Sequence, residues 1–249
     1  MKRVKTRTDS GVVCELKVFN VSERADIKTA QPRPRFKNED ERAKHRLAIS
    51  RQRHAQLFNA NFGPTSLYGT LTFNNEYEVH TFAEARRLRD NYIDRIRYRF
   101  PDARIMIYMG RGKATRRIHF HIVCEGVPED MLVRLWGMGD VVRIEHLREH
   151  NYYNGIDCGQ DYTGLANYLF GHWTPEQGGR RRWKQTANLI RPVKGKPVEV
   201  KREYTENKPP RTPKGYILVE SRQTPYGYCY FKYVRQPAPH RRRSRKKLD

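Results

Sequence analysis

His119-Phe120-His121 lies within Arg117-Ile118-His119-Phe120-His121-Ile122-Val123-Cys124, an otherwise apolar run that reads as a buried strand. Side chains alternate faces along a strand, so both imidazoles point one way while Ile118, Phe120 and Ile122 point into a core behind them. Two neutral imidazoles side by side can hold one divalent ion. A second pair, Tyr168 and His172 in Tyr168-Leu169-Phe170-Gly171-His172, has the four-residue spacing that places both on one helix face, a turn apart. If that helix crosses the sheet face carrying His119 and His121, three imidazoles and one phenol converge. Three nitrogens on a divalent ion leave positions open for phosphate oxygens and water, and the ion would polarise a scissile phosphate. Tyr168 would then attack phosphorus and form a phosphotyrosine, conserving the phosphodiester energy so that the strand can be rejoined. A free phenol titrates near ~10, so such a nucleophile needs a nearby cation or base. Taken singly, Tyr168 also reads as a ring capping the core, and His172 as a helix-terminal histidine favoured by the dipole.

The elements that must position these groups follow from hydrophobic periodicity. Residues 66–73 read as a strand closed by Asn74-Asn75. Thr81 and Glu84 form a T-x-x-E capping box, Leu88, Tyr92, Ile96 and Phe100 recur at four-residue steps, and Pro101 ends the helix. Residues 104–109 form a second strand, joined through 110–117 to the histidine strand in an antiparallel hairpin. Pro128-Glu129-Asp130 opens a short helix through Trp136, 141–144 is a fourth strand, and 162–173 a third helix. This order predicts an α+β fold: a ferredoxin-like, RRM-like antiparallel sheet of split β-α-β topology, with the tyrosine helix across one face and basic extensions at both ends. The expected divisions are a basic N-terminal arm and helix (1–63), a central domain (64–190), a basic linker with a C-terminal hairpin (191–236), and a disordered basic tail (237–249). Within the first, 38–62 reads as helix with Leu47, Ile49 and Leu57 as sparse apolar positions. Residues 12–21 read either as a strand pair or as part of the arm.

Composition narrows the class. Fifty Lys and Arg oppose 27 Asp and Glu for a net charge of +23, of which the run 241–247 supplies only six positives. A charge this large over a folded body favours a polyanion, most often nucleic acid, and predicts steeply salt-sensitive binding. No apolar stretch approaches the ~20 residues needed to span a bilayer, and no apolar signal core is present, so a cytoplasmic location is expected. Cys14, Cys124, Cys158 and Cys229 are scattered singly, which argues against a zinc site or a disulfide framework. No Walker sequence occurs, so no built-in helicase is expected.

The paired-histidine strand, preceded by Thr70-Leu71-Thr72-Phe73 and followed by the tyrosine helix, resembles the HUH endonucleases. These include rolling-circle replication initiators, conjugative relaxases and single-strand transposases. The resemblance covers about residues 64–190, including Gly179-Arg180-Arg181-Arg182-Trp183, similar to the basic-aromatic segment of phage- and plasmid-type initiators. It implies metal-dependent, sequence-selective nicking and joining of single-stranded DNA through a covalent 5′-phosphotyrosine on Tyr168, starting rolling-circle replication of a plasmid or phage-like element. It further implies Mg²⁺ or Mn²⁺ on His119, His121 and His172, a single-stranded or hairpin origin as substrate, and host helicase and polymerase as partners. The expected DNA contacts are Thr70, Thr72, Arg111, Lys113, Arg116, Arg117, Arg180, Arg181, Arg182, Trp183 and Lys184. The chain departs from the family in two places. Gly171 stands where many initiators carry a lysine, and Met109-Gly110-Arg111-Gly112 lacks their upstream glutamate ligand. His172 instead fills the position, four after the tyrosine, where the small transposases carry a ligand. Tyr162 is the fallback nucleophile. The alternatives are a transposase or relaxase with the same chemistry, and a non-catalytic nucleic-acid-binding module on the same kind of sheet. His146 and His150 are a lesser metal or DNA candidate. Asp157 reads as a ligand-steering or capping residue and Asp161 as a helix cap. The aromatic segment 226–233 reads as a strand with half its rings in a core.

Overall fold

The computed structural model describes residues 1–236 except 33, 35, 113–115, 140, 141 and 178–181. In chain order it contains β1 (Lys2–Ser10), β2 (Val13–Val21), α1 (Glu39–Asn59), β3 (Leu67–Thr72), α2 (Phe82–Arg99), β4 (Arg104–Arg111), β5 (Ile118–Glu125), α3 (Glu129–Trp136) and β6 (Val142–His146). There follow β7 (Tyr152–Tyr153), β8 (Ile156–Asp157), α4 (Thr163–Phe170), β9 (Lys184–Gln185), β10 (Val193–Lys194), β11 (Val198–Glu199), β12 (Tyr216–Gln223) and β13 (Cys229–Arg235). The α+β fold is as expected from the sequence.

The central sheet has the order β6-β3-β5-β4-β9, with every neighbouring pair antiparallel. α2 links β3 to β4 with β5 inserted between them, and α3 links β5 to β6 with β3 inserted, which is the split β-α-β topology. Alternation decides what each face does. Ile105, Ile107, Met109, Ile118, Phe120, Ile122 and Cys124 face the buried stripes of α2 and α3, where Tyr92, Ile96, Leu132 and Trp136 complete the larger core. Thr81 caps α2 as the capping box predicts, its hydroxyl accepting the Glu84 N–H at 3.2 Å. Met106, Tyr108 and Val123 point the other way. There they meet Ala55 and Phe58 of α1 and Ala166 and Leu169 of α4 in a second core.

α1 packs differently from its expected pattern. Leu47 is exposed, and the buried residues are confined to its last turns: His54, Ala55, Gln56, Phe58 and Asn59. That end is wedged against a second sheet, β10-β1-β2-β13-β12, with β11 also on β1. The stretch 12–21, left open as a strand pair or part of the arm, is a single strand, β2, paired over nine residues with β1 and hydrogen-bonded on its other edge to β13 of the C-terminal hairpin. One face of this sheet buries Leu16, Val18, Phe231 and Tyr233. Its other face is buried and polar. The Glu15 carboxylate accepts from Gln52, Gln56 and the Tyr230 hydroxyl, and Lys17 donates to Gln52. Of the five rings of 226–233, Tyr230, Phe231 and Tyr233 are buried, against the half expected, whereas Tyr226 is exposed. Among the described residues, no helix is long and apolar enough to cross a membrane. The tail 237–249 lies outside the described residues.

Candidate metal and tyrosine site

Register brings the chemistry together. Across β5, Thr70 pairs with His121 and Thr72 with His119 on one side, and Tyr108 and Gly110 pair with the same histidines on the other. Both imidazoles therefore rise from the face covered by α1 and α4. α4 ends at Phe170, earlier than the expected 173, but Gly171 keeps right-handed helical angles and so carries His172 round to the face of Tyr168. The Tyr168 and His172 ring centroids are 4.6 Å apart, edge to face. His172 lies 4.4 Å from His121 and 6.0 Å from His119, and the two strand histidines are 4.9 Å apart. The candidate ligand nitrogens of His119, His121 and His172 all lie within 4.8 Å of one another, close enough to bind one metal ion. Among the described residues this is the sole cluster of three such groups.

The surroundings prepare the imidazoles as ligands. His121 Nδ1 lies 2.9 Å from the Tyr68 hydroxyl and 3.1 Å from the Thr70 hydroxyl. With Nδ1 donating to these oxygens, Nε2 keeps its lone pair, and that Nε2 is buried without a partner, as is His172 Nε2. Orphaned buried nitrogens are uncommon, and two on histidines of one close cluster fit a site able to hold a cation. Burial pushes the His121 pKa down to about 3, with repulsion from His172 and His119 adding to the effect. Burial also lowers His119, partly opposed by a hydrogen bond to the Arg117 backbone, and lowers His172, assisted by His119. All three are therefore neutral at pH 7, the form that binds metal. Gly110 supplies the room: a Cβ there would lie 2.7 Å from His119 Nε2 and 3.0 Å from His172 Nδ1. Gln177 ties the sheet to the helix end, its amide donating to the carbonyls of Met109 at 2.9 Å and His172 at 2.8 Å.

Tyr168 is 56% exposed, with its ring 6.0 Å from that of His121, so it borders the cluster and faces solvent. Tyr162, the fallback, is 2% exposed at the start of α4. Its hydroxyl donates to the Arg148 carbonyl and burial pushes its pKa up to about 12, so it is a core residue. The N-terminus of α4 is held from two sides. Asn59 Oδ1 accepts the Tyr162 N–H, and Asp161 accepts the Thr163 N–H as a cap, as its position suggests. Asp161 is in turn paired at 2.5 Å with Lys232 of β13, both almost wholly buried.

The expected DNA contacts fall into distinct settings. Thr70 faces His121, and Thr72 pairs with His119 at the same sheet face. The Arg111 guanidinium lies 4.5 Å above the Phe82 ring, and Arg117 donates to the Phe73 carbonyl, so both brace the strand ends. Arg116 is exposed at a positive φ of 56°. Trp183 packs on His54, Tyr108 and Phe170, and Lys184 lies 3.8 Å from Asp90. Arg182 stacks on Phe170 and Trp173. Lys113, Arg180 and Arg181 lie outside the described residues. His146 ends β6, whereas His150 pairs with Asp157, so these two histidines are not joined into a site.

Tyr68, Gly110, Gln177 and Lys232 escaped the sequence reading. Tyr68 carried a signal, since strand alternation puts it on the face of Thr70 and Thr72. Gly110 could have been found only from the register of the hairpin. Compared with protein-family models and with curated proteins, the chain matches none, and the functional reading rests on this geometry.

Proposed function

We propose that the protein is a metal-dependent single-strand DNA nickase and ligase of the HUH type, with Tyr168 as nucleophile and His119, His121 and His172 as metal ligands. The observation that carries this reading is the convergence of three neutral imidazoles, two with buried unpartnered nitrogens, beside a solvent-facing tyrosine on a strongly basic chain. A divalent ion held there would polarise a phosphodiester and offset the charge that builds up on it. Of the two ions expected, Mn²⁺ suits an all-imidazole set better than Mg²⁺, which prefers oxygen ligands.

The chain's own groups do the rest. The Tyr168 oxygen bonds to phosphorus as the P–O3′ bond breaks; the phenolic proton leaves to solvent and the departing 3′ oxygen gains one. Attack by the 3′-hydroxyl on the phosphotyrosine reverses the step and rejoins a strand. α4 orients both Tyr168 and His172, so nucleophile and ligand move as one body. Tyr68 and Thr70 hold the His121 ring in the tautomer that ligates. Rolling-circle initiation is the biological use favoured here. Transposition or conjugative transfer would use identical chemistry.

The test is a labelled single-stranded oligonucleotide pool incubated with Mn²⁺ or Mg²⁺ and resolved on a denaturing gel. A metal-dependent covalent adduct in wild type, absent in Tyr168→Phe, is the expected result. DNA binding without an adduct, from a pool containing the protein's own replicon, would favour a non-catalytic binding module.

A further inference from the structure

Beyond the tyrosine, the far side of the α4 end gathers two cations that have no acidic partner among the described residues. Phe170 lies two residues past Tyr168, about 200° round the helix and so on the opposite face of α4. Its buried ring carries the Arg182 guanidinium at 4.6 Å and the Arg51 guanidinium of α1 at 5.7 Å. Arg182 also lies 4.4 Å above the Trp173 ring. Cation–π contact explains how each arginine is held, but it does not relieve their mutual repulsion. Among the described residues no carboxylate lies within ion-pairing distance of either one. Desolvation and the charge of Arg51 both lower the Arg182 pKa, the signature of like charges brought together. Trp173 Nε1 beside them is a buried donor without a partner. Two guanidiniums and an indole N–H offer donors only, so the complementary ligand is an anion with several acceptor oxygens.

We propose that Arg51 and Arg182, with Trp173, form a backbone-phosphate subsite that holds one or two phosphodiesters of a single nucleic-acid strand running past α4. Guanidinium forks match phosphate geometry, and the neighbouring aromatic rings offer a surface on which an unpaired base can stack. A strand gripped here would pass the end of α4 to reach Tyr168 on its other face. The link to nicking rests on the function proposed above, whereas the binding itself does not. The test is therefore made on a Tyr168→Phe background without added metal.

Two of the three tryptophans, Trp173 and Trp183, lie at this locus, whereas Trp136 is buried in the other core, so intrinsic fluorescence reports on the subsite. Oligo-dT is titrated at a series of KCl concentrations. Arg51→Gln and Arg182→Gln, which remove charge but keep a stem to pack, are each expected to weaken binding severalfold. Each should reduce the slope of log K against log[KCl] by about 0.7, the single-strand value for one lost phosphate contact. Arg134→Gln on α3, across the sheet, should change neither quantity by more than a generic surface charge does. A double Arg51→Gln/Arg182→Gln variant with wild-type affinity and slope overturns the subsite. So does a saturable fluorescence response to inorganic phosphate with none to the oligonucleotide. Adduct formation in the otherwise wild-type chain is scored separately: its absence counts against the nickase, and an unchanged salt slope counts against the subsite.

Discussion

Gly110→Ala probes the candidate metal site with one added methyl group. The Cβ would stand 2.7 Å from His119 Nε2 and 3.0 Å from His172 Nδ1, where ordinary contact begins near 3.4 Å. The His119 ring must therefore retreat by about 0.7 Å, and the His172 ring by about 0.4 Å, from the positions at which their nitrogens converge. Ligand distances at a metal are held within ±0.2 Å or so, and displacements of this size exceed that tolerance severalfold. Misorienting ligands through their surroundings typically costs tenfold to a hundredfold in affinity, about 1.4–2.7 kcal/mol. The backbone has no objection to the change, because Gly110 does not have a positive φ. Gly164→Ala is the matched control. It lies within α4 with no atom within 4 Å of the new Cβ, and should stabilise the helix by about 0.5–1 kcal/mol without touching metal affinity. Calorimetric titration with Mn²⁺ or Co²⁺, paired with thermal unfolding of the metal-free proteins, separates the two effects. Full metal affinity in a folded Gly110→Ala protein would refute convergence of these imidazoles on one ion.

Three further outcomes are expected. Tyr68→Phe should weaken metal binding only severalfold while Thr70 still engages His121 Nδ1, whereas Tyr68→Phe/Thr70→Val should approach the tenfold to hundredfold loss, read by the same calorimetry. Lys232→Met should cost about 3–5 kcal/mol in urea unfolding, because it strands the buried Asp161 carboxylate, and adding Asp161→Asn should recover much of it. His54 is buried with its pKa pushed down to about 3, so the unfolded chain takes up its proton near 6.5 and the folded chain does not. Its stabilising contribution is complete above pH ~6.5 and falls by up to ~1.4 kcal/mol per unit toward pH 3. Between pH 6.5 and 4.5, wild type should therefore lose about 2 kcal/mol more than His54→Gln in urea melts.

The central sheet was legible because its signals are local. Leu88, Tyr92 and Ile96 mark a helix by spacing alone, and Ile118, Phe120 and Ile122 mark a strand whose opposite face must hold His119 and His121. Short connections then leave few topologies open. The C-terminal hairpin was legible too, but its joining to β2 in a second sheet was not, for the opposite reason. Its inner face carries Glu15, Lys17, Tyr230 and Lys232, residues that periodicity assigns to solvent, and their partners Gln52, Gln56 and Asp161 sit far away in the chain. Hydrophobic patterning cannot reveal an interface made of satisfied polar groups. Tyr162 shows a related limit: its residue type fits the nucleophile, and only the Arg148 carbonyl and its burial disqualify it.

The pairing of β2 with β13 joins two hairpins far apart in the chain. Until β13 is made, β2 presents an open strand edge, and Asp161 at the head of the tyrosine helix has no lysine to meet. On the ribosome the central sheet can assemble early, while the helix that carries Tyr168 waits for the closing strand. Such long-range closure is slow relative to local hairpins and helices. Before that pairing forms, the chain carries the histidines without a firmly held Tyr168. Closure of the second sheet would itself be the step that fixes Tyr168 beside the histidines.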